Sequence, residues 1–307
     1  MKDHAIQTVD AKGTKIAYEL YGDKTAPVIL LIHGLGMPMT AWPMSMIESL
    51  VQKGFCVLIM DNRDQGQSEK FDHLKVPNMV WQFIKLKIGL SVSCTYSLLD
   101  MMNDVKGVLD ALRIQQVHVV GASMGGMIAQ LLTLEFPDRV KSLTSIMSTT
   151  GNPKLKGPTR AVSSHLMAKP KLKTPETLMA YNVKTWQLIG SPDYPTETSE
   201  IKAFVQRLMD RGMSTAGTAR QMLAILSASD RTHRLAGLTL PCLVIHGTDD
   251  PLVRVEGGIE TAHAIPNAKL HLIKGMGHDL PLVLQSQVCD LITSLAETTE
   301  AELKKAG

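Results

Sequence analysis

The pentapeptide Gly121-Ala122-Ser123-Met124-Gly125 sets one hydroxyl between two glycines. Val117-His118-Val119-Val120 precedes it, short, apolar and β-branched, and reads as a buried strand. Gly126-Met127-Ile128-Ala129-Gln130-Leu131-Leu132 follows and reads as a helix. A serine in this G-x-S-x-G context sits on a sharp strand-to-helix turn, where the glycines remove Cβ atoms that would clash. Its Oγ is left exposed above a sheet, the placement a nucleophile needs.

A serine hydroxyl is a poor nucleophile near neutral pH. It requires a base to take its proton, a group to orient that base, and donors for the developing oxyanion. One recurring chain order for such a set is serine, acid, histidine. The acid is expected after a late strand, where Val244-Ile245-His246-Gly247 runs into Thr248-Asp249-Asp250-Pro251. Position alone does not separate Asp249 from Asp250, and the other of the two suits a turn. The base is expected after the last strand, in Lys274-Gly275-Met276-Gly277-His278-Asp279. His278 lies on a glycine-flanked loop, whereas His263 falls in a helical stretch and His271 inside a strand. The oxyanion donors are expected to be the backbone N–H of Met124, at the positive end of its helix, and that of Leu35 in His33-Gly34-Leu35-Gly36. His33 precedes the acid and ends a strand, so a structural role is expected for it.

These residues need a scaffold. Lys15 to Tyr21 alternates like an early antiparallel strand. Continuous apolar runs at 28–32, 55–60, 117–120, 140–147, 242–245 and 269–273 suit strands covered on both faces. Leu98, Met102, Val105, Leu109 and Leu112 recur at helical spacing, and 280–296 reads as a closing helix. Strands alternating with helices predict a doubly wound α/β fold with its loops at the strand C-termini. Residues 151–235 interrupt the rhythm with helical patterns and no strong strand. They are expected to form a helical cap over a core of residues 1–150 and 236–307. Residues 76–92 mix apolar side chains with lysines and are expected to line that cap, because the charges do not form a clean polar face for a membrane interface. The tail from Glu297 to Gly307 is polar and is expected to fray.

The chain has 307 residues, 44% apolar and 20% charged, enough for one large core. With a net charge of +3 and no basic block, nothing points to nucleic acid. The opening Met1-Lys2-Asp3-His4-Ala5-Ile6-Gln7 lacks an apolar leader, and no run of about 18 apolar residues is present to span a bilayer. Stable membrane insertion is therefore not expected. Cys56, Cys94, Cys242 and Cys289 are widely spaced, without metal-site spacing, as expected of a reduced cytoplasmic protein.

Together these features resemble the α/β-hydrolase superfamily, and within it the esterase branch related to aclacinomycin methylesterase. The carriers are His33-Gly34-Leu35-Gly36, Asp61-Asn62-Arg63-Asp64-Gln65-Gly66-Gln67-Ser68, Tyr96-Ser97-Leu98-Leu99-Asp100-Met101, the pentapeptide around Ser123, His246-Gly247-Thr248-Asp249-Asp250-Pro251-Leu252, and Gly275-Met276-Gly277-His278-Asp279-Leu280-Pro281. The resemblance covers Lys15 to about Ala296 and implies an eight-stranded, mostly parallel sheet with a helical cap and no metal or cofactor. It also implies that Asp250, the third residue after the glycine of the late His-Gly pair, is the acid. The superfamily's usual arginine-glycine-x-glycine loop reads Arg63-Asp64-Gln65-Gly66 here, which fits the methylesterase-like branch without fixing a substrate.

The expected activity is a serine carboxylesterase acting on a small-molecule ester. A carbon–carbon bond hydrolase, a cofactor-free perhydrolase and a non-turnover ligand-binding protein are the alternatives. Met37, Met39, Met44, Met124, Met127 and Met276 lie in or beside the site loops. Because methionine is flexible and polarizable, a broad apolar acyl pocket is expected, with Gly34, Met37, Met127 and Met276 as candidate lining residues.

Overall fold

The structure is a computed structural model that describes residues 7–168 and 174–306. Its strands are β1 (Gln7–Asp10), β2 (Lys15–Tyr21), β3 (Val28–Ile32), β4 (Cys56–Met60), β5 (Val117–Ala122), β6 (Val140–Ile146), β7 (Cys242–Gly247) and β8 (Lys269–Ile273). They form an eight-stranded sheet in the order β1-β2-β4-β3-β5-β6-β7-β8. β1, β2 and β4 pair antiparallel, and every pair from β4 through β3 to β8 is parallel. The expected α/β fold is therefore observed.

The uniform apolarity of the central strands follows from cover on both faces. Successive side chains point to opposite sides of a strand. Leu30 and Ile32 accordingly join one core, with α3 (Leu98–Ala111) and α4 (Met124–Glu135). Ile29 and Leu31 join the other, with α1 (Met44–Gln52) and α11 (Leu282–Ala306).

Between β4 and α3 lies α2 (Met79–Lys87). Between β6 and β7 run α5 (Arg160–Met167), α6 (Pro175–Ile189), α7 (Thr198–Arg211), α8 (Thr215–Leu226) and α9 (Thr232–Leu235), with no strand among the described residues of this segment. Residues 169–173 of the stretch 151–235 lie outside the described residues, as does the opening segment 1–6. One of these helices, α8, is pinned over the loop after β4. The Ser214 hydroxyl caps α8 by accepting from the Gly217 N–H (2.9 Å). A Cβ at Gly217 would lie 2.5 Å from the Asp64 carbonyl oxygen, so the helix packs directly on that loop. α10 (Val255–Ala264) follows the acid loop.

Two expectations are corrected. The edge strand β1 gives no apolar signal and is absent from the sequence reading, because its residues are mostly exposed. The tail is helical: α11 runs to Ala306, and Gly307 lies outside the described residues. Past Ala296 the helix is still held. Thr299 is buried with its hydroxyl on the Leu295 carbonyl (2.8 Å), and the Glu300 carboxylate reaches His118 Nε2 (3.0 Å) and Lys141.

Candidate active site

Ser123 joins β5 to α4 with φ +56° and ψ −120°, a conformation that costs a non-glycine residue about 1–3 kcal/mol. The surroundings hold it there. Its N–H donates to the Ile146 carbonyl (2.9 Å), and its own carbonyl accepts from the Gly126 N–H (2.9 Å) and the Ser148 hydroxyl (2.7 Å). The flanking glycines are required by space. A Cβ on Gly121 would lie 2.2 Å from the Gly125 carbonyl oxygen, and one on Gly125 would lie 2.1 Å from that of Ile32.

His278 arrives from the loop after β8 and is buried. Its Nε2 is 3.0 Å from Ser123 Oγ and its Nδ1 is 2.6 Å from Asp250 Oδ2. A carboxylate accepts only, so Nδ1 carries the proton and Nε2 is free to accept from the serine. The His278 N–H donates to the Ile189 carbonyl (2.7 Å) and the Gly277 N–H to Ser191 Oγ (2.8 Å), while the Ser191 hydroxyl also bonds Asp279. The end of α6 and the turn after it thus hold this loop on both sides of the imidazole.

Asp250, not Asp249, faces the imidazole. Its Oδ1 accepts from the N–H groups of Leu252 and Val253 (2.9 Å each), and its Oδ2 also lies 3.4 Å from Nε2 of fully buried His246. Burial pushes the Asp250 carboxyl up, but the charge and hydrogen bond of His278, with those of His246, outweigh it and hold the group well below the usual carboxylate range. Asp249 is exposed and fills the turn role, accepting from Thr248 Oγ1 (2.6 Å) and the Gly275 N–H (3.1 Å). His263 is exposed on α10, and His271 meets Gln287 (3.0 Å) on the outside of β8.

The loop after β3 lies against the serine. A Cβ on Gly34 would lie 3.0 Å from Ser123 Cβ. Among the described residues, the N–H groups of Leu35 and Met124 find no protein acceptor. His33 shapes this loop: its Nδ1 accepts from the Gly34 N–H (2.7 Å), and its carbonyl accepts from Asn62 Nδ2 (3.0 Å). Burial, then the neighbouring His278, lower the His33 pKa to about 3, against a hydrogen bond to the Ala41 backbone. His33 is therefore neutral at working pH. The Gly36 N–H donates to Gln221 Oε1 (2.8 Å) on α8, whose Nε2 donates to the Arg63 carbonyl (2.8 Å).

Most of the methionines expected to line an acyl pocket are buried in the cores. Met39, Met124 and Met276 are fully buried, and Met127 is nearly so; all four pack into the two cores, while Met44 is exposed on α1. Met124 and Met127, on α4, join one core, and Met39 and Met276 join the other. Met37 alone of the proposed lining methionines is partly exposed.

The departure at Asp64 has a structural reason. Asp64 adopts φ +71°, a conformation glycine takes freely. Its carboxylate is fully buried and accepts from Arg220 Nε and Nη2 (2.8 and 2.7 Å), the Tyr96 hydroxyl (2.7 Å) and the Phe71 N–H (2.8 Å). Arg220, like Gln221 and Ser191, escapes sequence reasoning because its partner is far away in the chain. The odd aspartate in the arginine loop was the available signal. Among the described residues, no group of three His, Cys, Asp or Glu side chains could hold a metal ion.

A family model described as alpha/beta hydrolase fold matches residues 27–283. The chain belongs to that family. It is 27% identical over 294 residues to rhodomycin D methylesterase DnrP of Streptomyces peucetius, covering 88% of this chain and 91% of that one. It is 28% identical over 262 residues to the 2-hydroxy-6-oxononadienedioate/2-hydroxy-6-oxononatrienedioate hydrolase of Paraburkholderia phymatum, covering 81% and 80%. The crystal structure of the enol-lactonase from Burkholderia xenovorans shares the fold, with a TM-score of 0.71 at 22% identity over 95% of this chain and all of that one.

Proposed function

We propose that this hydrolase-fold protein is a serine carboxylesterase. The observation that carries the reading is the continuous row from Ser123 Oγ through the His278 imidazole to Asp250, at 3.0 and 2.6 Å. Ser123 Oγ attacks the ester carbonyl as its proton passes to His278 Nε2. The N–H groups of Leu35 and Met124 receive the oxyanion, and Asp250 stabilises the imidazolium while fixing its tautomer. Collapse of the tetrahedral intermediate breaks the bond to the alcohol oxygen, which takes the proton from Nε2 and leaves. Water then gives a proton to Nε2 and attacks the acyl-enzyme. The second collapse returns that proton to Ser123 Oγ and frees the acid.

The helical segment 151–235 acts in this reading as a cap. Its support is the set of contacts it makes with the site loops: Gln221 with Gly36, Arg220 with Asp64, and Ser191 with Gly277. A small-molecule ester is the substrate, and the methylesterase relatives favour a small alcohol leaving group.

A second reading, hydrolysis of a carbon–carbon bond in a vinylogous diketone, is favoured by the comparable identity to the Paraburkholderia enzyme. Turnover of a p-nitrophenyl and methyl ester panel, run beside a vinylogous diketone acid, separates the two. The esterase reading expects ester turnover to dominate; faster cleavage of the diketone would replace it.

A further inference from the structure

The segment between the arginine loop and α3, expected to line the cap, packs against α8 and also turns an apolar face outward. α2 and the turn after it present Val80, Trp81, Ile84, Leu86, Ile88 and Leu90 to solvent, with Trp81 53% and Ile88 63% exposed. Val80, Trp81, Ile84 and Ile88 share one helical face by their spacing. The opposite side is fixed to the protein: Gln82 is buried and accepts from the Ser93 N–H (2.8 Å). The approach to the helix is held as well, since Arg220 of α8 donates to the Leu74 carbonyl (3.2 Å) and to Asp72 (3.0 Å). The apolar face is thus presented on an anchored element.

From His73 to Val92 the chain carries Lys75, Lys85 and Lys87 and no Asp or Glu. Lys75 is exposed, and the Lys85 ammonium sits on the exposed Ser93 hydroxyl (3.2 Å). Charge therefore selects the occupant. A second copy of the chain would bring like charges together, because a two-fold contact sets the same patch against itself. An anionic, partly apolar plane satisfies both features: Trp and aliphatic side chains enter the headgroup–acyl boundary while lysines meet the surface charge. We propose that α2 and the turn to Leu90 dock the protein on an anionic lipid surface. The docking is peripheral, since no helix among the described residues is long and apolar enough to cross a membrane.

Flotation with phosphatidylcholine–phosphatidylglycerol vesicles, against phosphatidylcholine alone, reads binding without turnover and so stands apart from the esterase reading. The full chain should float with the anionic vesicles and be released by salt. Neutralising lysines (Lys75→Gln, Lys85→Gln) should weaken partitioning about fivefold each. Trp81→Ser with Ile88→Ser, both at exposed positions, should abolish it with circular dichroism unchanged. A blue shift of tryptophan emission on binding should disappear in Trp81→Phe. No binding to anionic vesicles, or binding indifferent to these changes, overturns the proposal. So does a stable dimer in sedimentation velocity that Ile88→Ser dissociates, or capture by an acidic protein with no affinity for lipid.

Discussion

The Arg220 guanidinium forks onto the Asp64 carboxylate, Nε to Oδ2 at 2.8 Å and Nη2 to Oδ1 at 2.7 Å, with both side chains almost wholly buried. Neither residue lies in the row from Ser123 to Asp250, yet the pair ties α8 to the loop after β4, and α8 in turn holds Gly36 through Gln221. Breaking one partner of such a pair strands a buried charge, at a cost of about 3–5 kcal/mol. Asp64→Gly should relieve the positive φ and still destabilise the protein, toward the low end of that range because Asp72 also meets Arg220. Adding Arg220→Met should recover part of the loss. Urea denaturation of the two variants checks this; a stabilised Asp64→Gly would show that backbone strain outweighs the pair.

His33 predicts how stability depends on pH. In the folded protein it stays neutral down to a pKa of about 3, while in the unfolded chain it takes up a proton near its ordinary value of about 6.5. Below that value the unfolded state binds more protons, so stability falls as pH drops through this window, by at most about 1.4 kcal/mol per pH unit. His33→Asn keeps an acceptor for the Gly34 N–H and cannot titrate. Its denaturation free energy should fall less steeply than that of the wild type between about pH 6.5 and 4; parallel slopes would contradict the assignment.

Asp250 is held ionised well below the usual carboxylate range, first against burial and by the groups around it. Loss of activity on mild acidification should therefore not trace to this carboxyl. Asp250→Asn should lower kcat by about 10⁴, because an amide no longer holds the required tautomer. Asp249→Asn should leave kcat within a few-fold, since Asp249 serves the turn. Kinetics on one ester decide the matter, and equal losses for the two variants would refute the distinction.

On the esterase reading proposed above, Ser191 acts as a positioning residue. Its hydroxyl accepts from the Gly277 N–H and bonds Asp279, one residue to either side of His278. Ser191→Ala should lower kcat about tenfold or more with KM little changed, because small misplacements of a reacting group are costly. Ser191→Thr should restore much of it. A change confined to KM would place Ser191 with substrate binding instead.

Much of the scaffold was legible because parallel strands buried on both faces write unbroken apolar runs, as in Val28–Ile32 and Cys56–Met60. The positions of Ser123 and His278 were legible from glycine-marked turns at strand ends. In the sequence Asp250 could be separated from Asp249 only by resemblance, since both sit on one turn and only the folded chain sets them apart, with Asp250 buried on His278 and Asp249 exposed. β1 was hidden because an exposed edge strand has no apolar pattern. The Asp64–Arg220 pair was hidden because a contact across 156 residues leaves no local periodicity. The methionines misled for a related reason: a loop position shows where the backbone runs, not which way the side chain turns.

The most direct test is the site of acylation. A fluorophosphonate should label the protein once, on Ser123, and p-nitrophenyl acetate should give a burst of acyl-enzyme that Ser123→Ala and His278→Ala both abolish. Label on another residue, or ester turnover that survives Ser123→Ala, would contradict the account.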